Sequence, residues 1–196
     1  MKEYNFLIVG VGGQGALLAS NVLAEVGVEA GFDVKKAEVH GMSQRGGSVN
    51  SHIRWGSLVR SPVIGTGDVD ILISLEKLET LRYVDQLKKA GQVFIGEFKI
   101  PPLTVSSGED HYPAHHEIEA AVYQVTPHLH WIKTLTLAEQ AGTTKAHNVV
   151  MLGALSVRIP EVEQATWLKV IDSIVPPKFI KLNHEAFRLG RESQIE

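Results

Sequence analysis

The sequence of 196 residues contains no cysteine. A chain without cysteine forms no disulfide, offers no thiolate nucleophile and holds no cysteine-ligated iron–sulfur cluster. It also has no long block of one charge. The apolar run nearest the N-terminus, residues 6–9, is far too short for a membrane span or for the hydrophobic part of a signal peptide. Because the chain has no cysteine to hold a cluster, the electrons must move through another chain if the protein serves redox chemistry.

The overall charge is also low, at −3, and the basic residues are scattered. We therefore expect no nucleic-acid partner, no membrane partner and a cytoplasmic location. The hydrophobic fraction of 44% suits a single domain over residues 1–196. Several histidines lie close together without the spacing of metal ligands, so we predict no metal site; they are His111, His115, His116, His128 and His130.

Apolar periodicity and glycine breaks predict an α/β fold: a Rossmann-like, doubly wound, mostly parallel sheet with a β-hairpin excursion and a helical C-terminal end. A strand over residues 4–9, a helix over 16–30 and a strand over 33–39 would form a parallel βαβ unit. The other predicted strands are 48–55, paired in a hairpin with 58–60, then 69–75, 93–95 and 129–132. The other predicted helices are 76–89, ended by Lys88, Lys89 and Gly91, then 114–123, 136–141, 145–158, 161–174 and 178–190.

The first glycine loop follows the first strand and opens the first helix. Its residues Gly10, Gly12, Gly13, Gln14 and Gly15 fit the pattern G-x-G-x-x-G. The missing side chains permit a tight turn and a close approach of backbone to ligand, and the helix N-terminus offers amides to a phosphate. A nicotinamide or flavin dinucleotide would fit, with Glu38 near the ribose. The alternative is that the glycines serve only helix packing or subunit docking.

A second glycine-rich loop follows the second strand, at the sheet edge where ligands bind in open parallel sheets. An arginine between glycines suits a bidentate contact to a carboxylate or phosphate, and the neighbouring polar residues add hydrogen-bonding groups. The candidate ligand-binding residues of this loop are Ser43, Gln44, Arg45, Gly46 and Gly47. The alternative is an exposed loop with one solvated arginine.

Taken with the first loop, the run Glu-Val-His-Gly-Met-Ser-Gln-Arg-Gly-Gly at residues 38–47 resembles the gamma domain of 2-oxoacid:ferredoxin oxidoreductases. The resemblance extends through nearly the whole chain and includes residues 61–64, 70–79 and 148–154. The residues before Arg45 are similar to the branch of the family that oxidises aryl pyruvates such as indolepyruvate. Relatives that act on pyruvate or 2-oxoglutarate tend to keep the arginine and glycines after a different run.

The resemblance implies a small subunit that is inactive alone and binds no cofactor alone. In that family a large alpha subunit carries thiamine diphosphate and iron–sulfur clusters, decarboxylates the 2-oxoacid, passes electrons to ferredoxin and transfers the acyl group to coenzyme A. The gamma domain packs against that core and shares coenzyme A with it. The two glycine loops would then be its binding residues, and no catalytic residue is expected here. The open alternatives are a stand-alone NAD(P)-dependent oxidoreductase and a nucleotide-sensing module.

Two residues near the C-terminal helices carry further predictions. Asn148 begins an apolar stretch of the predicted helix 145–158. Its side chain either hydrogen-bonds a carbonyl near the glycine turn or lies at the exposed edge of that helix. Gly153 inside the same helix costs about 1 kcal/mol relative to alanine, which favours a close helix crossing at that point.

Overall fold

A computed structural model describes residues 2–40 and 47–194 of the chain. Within these ranges the strands are Tyr4–Val11 (β1), Asp33–His40 (β2), Ser48–Gly56 (β3), Val69–Glu76 (β4), Leu87–Phe98 (β5) and Leu129–Ile132 (β6). The helices are Ala16–Glu29 (α1), Lys77–Tyr83 (α2), Leu103–Ser106 (α3), His115–Tyr123 (α4), Thr134–Gln140 (α5), His147–Ser156 (α6), Gln164–Ile174 (α7) and Ile180–Glu192 (α8). Short 3₁₀ helices cover Val84–Gln86, Thr144–Ala146 and Pro177–Phe179.

The six strands form one mixed sheet in the order β2-β3-β1-β4-β5-β6. Strands β1, β4, β5 and β6 run parallel, while β3 runs antiparallel to both β1 and β2. The predicted Rossmann-like sheet with a hairpin excursion is confirmed, but the predicted hairpin partner was wrong. Strand β3 pairs along its length with β2 and β1 rather than with residues 58–60. Strand β2 is therefore parallel to β1 and separated from it by one strand.

Helices cover both faces of the sheet because the central strands are apolar on both sides. In β1, Phe6 and Ile8 enter the larger core beneath α1, α6, α7 and α8, whereas Leu7 and Val9 enter the smaller core beneath α4. All four side chains are fully buried. Such two-faced burial is typical of parallel strands in α/β proteins. Of the helices that the structure describes, none combines the length and apolar character needed to cross a bilayer.

Helix α2 is shorter than predicted, and this moves the start of β5. The predicted helix over 76–89 ends as α2 at Tyr83, and Lys88 and Lys89 lie in β5. The Nζ atom of Lys88 lies 2.7 Å from a carboxylate oxygen of Asp70 on β4. Gly91 is not a helix cap: a Cβ there would lie 2.7 Å from Leu87 Cγ. The lysines and glycine at this point reflect a solvated strand end and a close strand contact.

The predicted helical C-terminal end is present, and α6 crosses α8 at close range. A Cβ on Gly153 would lie 2.1 Å from the carbonyl oxygen of Phe187, and one on Gly190 would lie 2.0 Å from the carbonyl oxygen of Val150. Two facing glycines thus let the helix backbones touch. The close crossing predicted from Gly153 is confirmed.

Candidate functional site

The first glycine loop joins the end of β1 to the start of α1, at the edge where the parallel strands end. Gly13 has φ +107° and Gly15 has φ +76°, both in the left-handed region that favours glycine. Gly15 is also the residue that precedes α1, and a Cβ there would lie 2.3 Å from Nδ2 of Asn148. The loop therefore requires glycine at Gly15 for two independent reasons, its backbone angle and its neighbour.

Gln14 lies inside the loop and holds it together. Its side chain is only 6% exposed. The backbone N–H of Val11 donates to Gln14 Oε1 at 2.7 Å, and Gln14 Nε2 donates to the carbonyl of Leu75 at the end of β4 at 3.2 Å. A Cβ on Gly10 would lie 2.9 Å from the same Oε1. Gln14 thus ties the loop to the next strand, and Gly10 leaves room for its side chain.

Helix α6 supports the loop from beneath. Asn148 is 2% exposed, and its Nδ2 donates to the carbonyl of Gly15 at 3.0 Å. Of the two roles considered for Asn148, the contact with the glycine turn is the one observed. The imidazole of His147 is also buried. Burial lowers the pKa of His147 to about 4, against a smaller opposing effect of the Gln14 backbone, so this histidine is neutral at physiological pH.

The second glycine loop meets the first through its last residue. The N–H of Gly12 donates to the carbonyl of Gly47 at 2.9 Å, and Val11 pairs with Ser48 at the start of β3. The structure therefore brings together Gly47 and the glycines of the first loop. The other candidates of the second loop, Ser43, Gln44, Arg45 and Gly46, lie outside the described residues, and so their role remains a prediction.

An open cleft of about 490 Å³ lies between the glycine loop, the start of α1 and β3. It is lined by Val11, Gly12, Gly13, Gly15, Ala16, Leu17, Val49 and Ser51. The first hydrogen bond of α1 runs from the N–H of Ala19 to the carbonyl of Gly15 at 3.0 Å, so the preceding amides of the helix have no partner within it. These amides and the positive end of the helix dipole favour an anion.

The described lining of this cleft offers hydrogen-bond donors rather than acid–base groups. None of the described residues that line it carries a titratable side chain. Acid–base or nucleophilic catalysis needs such a group within hydrogen-bond reach of the reacting atoms. Within the part of the chain that the structure describes, no group of three or more potential metal ligands is found either. The described cleft can therefore hold and orient a ligand through backbone donors.

The position of Glu38 argues against the dinucleotide interpretation. In a dinucleotide-binding βαβ unit the acidic residue ends the strand next to β1. Here β3 lies between β1 and β2, so Glu38 pairs across from Ser51 on β3. An extra strand adds about 4.8 Å in the hydrogen-bonding direction. Glu38 also bonds Lys36 Nζ at 2.6 Å, which places its carboxylate along its own strand.

Sequence reasoning missed a polar network that joins α2 to the start of β3. Ser48 Oγ donates to Glu79 Oε2 at 2.5 Å, and Asn50 Nδ2 donates to the hydroxyl of Tyr83 at 3.0 Å. Glu76 precedes α2 and accepts from the N–H groups of Leu78 and Glu79 at 2.7 and 3.1 Å. The spacing of Glu76 and Glu79 at a helix start was a usable signal, but it does not show which strand these side chains meet.

Comparison with known proteins identifies the family of this chain. The family described as pyruvate ferredoxin/flavodoxin oxidoreductase matches residues 5–193. The indolepyruvate oxidoreductase subunit IorB of Pyrococcus horikoshii is 42% identical over 198 residues, which cover 100% of this chain and 98% of that protein.

Two solved structures share the fold. The gamma subunit of a keto/oxoacid ferredoxin oxidoreductase from Geobacter sulfurreducens has a TM-score of 0.73 at 23% identity and covers 98% of both chains. The 2-oxoglutarate:ferredoxin oxidoreductase of Magnetococcus marinus, solved with 2-oxoglutarate, coenzyme A and succinyl-CoA bound, has a TM-score of 0.72 at 19% identity. That match covers 100% of this chain and 31% of the longer one. The full-length family match and the similarity to IorB together show that this chain belongs to the pyruvate ferredoxin/flavodoxin oxidoreductase family.

Proposed function

We propose that this chain is the small subunit of an indolepyruvate:ferredoxin oxidoreductase. In the proposal the complex converts aryl pyruvates, such as indolepyruvate and phenylpyruvate, and coenzyme A into aryl-acetyl-CoA and carbon dioxide. The two electrons released pass to ferredoxin. The relative from Pyrococcus horikoshii, at 42% identity over the full length, supports this substrate class. Decarboxylation and electron transfer are supplied by thiamine diphosphate and iron–sulfur clusters on a larger alpha subunit.

The observation that carries the proposal is the cleft at the first glycine loop. Coenzyme A bears a diphosphate and a 3′-phosphate, and the cleft offers helix amides and a positive dipole end without a titratable side chain among its described lining. The related structure from Magnetococcus marinus holds coenzyme A, which supports this choice of ligand. We assign to this chain the task of holding coenzyme A so that its thiol reaches the acyl group on the partner. Such positioning lowers the entropic cost of the transfer.

Arg45 completes the proposed anion site. It lies outside the described residues, but it is two residues from Gly47, whose carbonyl accepts the N–H of Gly12 at the cleft. A guanidinium close to this point would offset phosphate charge through two parallel hydrogen bonds. Isothermal titration of the assembled complex with coenzyme A should show affinity weakened by roughly tenfold in Arg45→Ala. Unchanged affinity would remove Arg45 from this role.

The decisive assay mixes the two subunits and follows reduction of ferredoxin or of a dye. Reduction should require both subunits, coenzyme A and an oxoacid, with indolepyruvate and phenylpyruvate preferred over pyruvate and 2-oxoglutarate. Preference for one of the last two would contradict the aryl-pyruvate assignment and leave the family assignment intact. Turnover of an oxoacid by this chain alone would contradict the proposed division of labour.

A further inference from the structure

A buried carboxylate on α2 anchors the start of β3. Glu79 is 4% exposed, and its Oε2 accepts a hydrogen bond from the hydroxyl of Ser48 at 2.5 Å. Its Oε1 lies 3.3 Å from Nε of Arg82, whose side chain is half exposed. Burial raises the pKa of Glu79, against the opposing effects of the Ser48 hydrogen bond and of Arg82. A carboxylate held in such a place against its desolvation cost indicates a specific task.

A second contact strengthens the anchor. The hydroxyl of Tyr83, one turn further along α2, accepts a hydrogen bond from Asn50 Nδ2 at 3.0 Å. The same hydroxyl lies 3.3 Å from Ser48 Oγ. Ser48 and Asn50 are two residues apart on β3 and so project to the same face of the sheet. Helix α2 therefore holds the first residues of β3 at two points, while β1 holds their backbone from the side.

The anchor is connected to the cleft through one peptide. Ser48 follows Gly47, whose carbonyl accepts the N–H of Gly12 at 2.9 Å, and Gly12 lines the cleft. A shift of Ser48 would move that carbonyl, and the Gly12 N–H would lose the hydrogen bond that fixes its orientation. Glu79 itself does not line the cleft.

We propose that Glu79 is a positioning residue for coenzyme A: through Ser48 and Gly47 it fixes the first glycine loop, which lines the proposed phosphate site. This inference rests on the proposed function, because it names the residue that holds the proposed coenzyme A site in shape. It predicts that loss of the Glu79 carboxylate weakens coenzyme A binding while chemistry on the oxoacid proceeds.

The test uses the assembled complex and three variants. In Glu79→Ala, the Kd and KM for coenzyme A should rise roughly tenfold, the change expected if the released loop adopts its binding conformation about a tenth of the time. The oxoacid KM, and kcat at saturating coenzyme A, should stay within about twofold of wild type. Glu79→Gln keeps an acceptor for the Ser48 hydroxyl and should recover most of the affinity. Ser48→Ala removes the donor and should reproduce the loss, which provides a second test if Glu79→Ala does not fold.

Glu97→Ala is the matched control. Glu97 Oε2 accepts from the N–H groups of Leu135 and Thr136 at the start of α5, both at 3.2 Å, so it too holds a helix near the end of a strand. Its removal should lower the thermal midpoint and leave coenzyme A affinity unchanged.

The outcomes separate the two proposals. Wild-type affinity for coenzyme A in both Glu79→Ala and Ser48→Ala overturns the positioning role and leaves the proposed function standing. Equal loss in Glu97→Ala also overturns it, because any destabilised variant would then behave alike. Failure of the wild-type complex to bind coenzyme A contradicts the proposed function and this inference with it.

Discussion

Replacement of Gln14 by glutamate tests whether its side chain holds the glycine loop in the way the contacts indicate. The two side chains have the same shape, but an ionised carboxylate has no proton to donate. It could still accept the N–H of Val11, where Oε1 now lies at 2.7 Å. Towards the carbonyl of Leu75, now 3.2 Å from Nε2, it would present an oxygen to an oxygen. Only the protonated carboxyl would satisfy both partners.

The size and sign of the effect follow from the burial of this site, since Gln14 is 6% exposed. Burial and the Leu75 carbonyl both raise the pKa of the introduced carboxyl in the folded protein above its unfolded value of about 4.3, against the smaller opposing effect of the positive end of α1. A carboxyl with a raised folded pKa leaves the free energy of unfolding unchanged at pH values below about 4.3 and lowers it as the pH rises above that value. The loss is about 1.4 kcal/mol per pH unit until the folded pKa is reached. At pH 7.5 it amounts to at most roughly 4 kcal/mol, or about 8–16 °C in thermal midpoint.

The measurement is thermal and urea unfolding of the full chain from pH 5 to pH 8. Gln14→Met is the matched control, because it fills similar space, loses both hydrogen bonds and does not titrate. It should be destabilised by about 2–4 kcal/mol, from the unsatisfied N–H of Val11 and carbonyl of Leu75, at every pH. Gln14→Glu should be the more stable of the two at pH 5, and its stability should fall towards that of Gln14→Met as the pH rises. Parallel curves for Gln14→Glu and Gln14→Met would refute the proposed bond to Leu75.

Three other predictions test the support of the site. Gly153→Ala should lower the free energy of unfolding by about 2 kcal/mol, because overpacking must push α6 away from α8; calorimetry checks this. Asn148→Ala should cost about 1 kcal/mol through loss of its bond to the Gly15 carbonyl, and should weaken coenzyme A binding by the complex; unfolding and titration check the two effects. Because the pKa of His147 is lowered to about 4, its contribution to stability should fall as the pH drops from about 6.5 to 4, by up to roughly 3 kcal/mol. His147→Gln should flatten that limb in pH-dependent urea unfolding.

The elements found correctly from the sequence are those whose signals are local. Strand β1 is apolar on both faces, and α1 is preceded by Gly15 and followed by Gly31, both with positive φ. The strands that pair with β3 are not identified by any signal within its own segment. The strand predicted over residues 48–55 is present as β3, but its own sequence does not specify which strand lies alongside. The expected hairpin therefore paired it with residues 58–60, the next segment of the chain, whereas its partners are β1 and β2.

At the site too, residues with a local sequence signal were found and residues defined by distant contacts were not. The glycines of the first loop were recognised because a missing side chain after a strand is visible in the sequence. The structural role of Gln14 was not recognised, because its partner Leu75 is 61 residues away along the chain. Glu79 was overlooked for the same reason, since Ser48 lies 31 residues before it. Polar side chains that hold a loop are defined by their contacts, and those contacts come from the order of the strands.

The groups beneath the glycine loop bear on why an anion would bind there. The side chains that hold the loop are the amides of Gln14 and Asn148 and the neutral imidazole of His147, so the described support adds no negative charge beside the amides of α1. The buried carboxylates of the region, Glu76 and Glu79, lie at the start of α2, where Glu76 accepts from N–H groups of that helix and Glu79 is joined to Ser48 and Arg82. A carboxylate in the place of Gln14 would oppose the field of the helix end directly. We therefore expect Gln14→Glu to weaken coenzyme A binding more than Gln14→Met does, even at a pH where the two variants are equally stable.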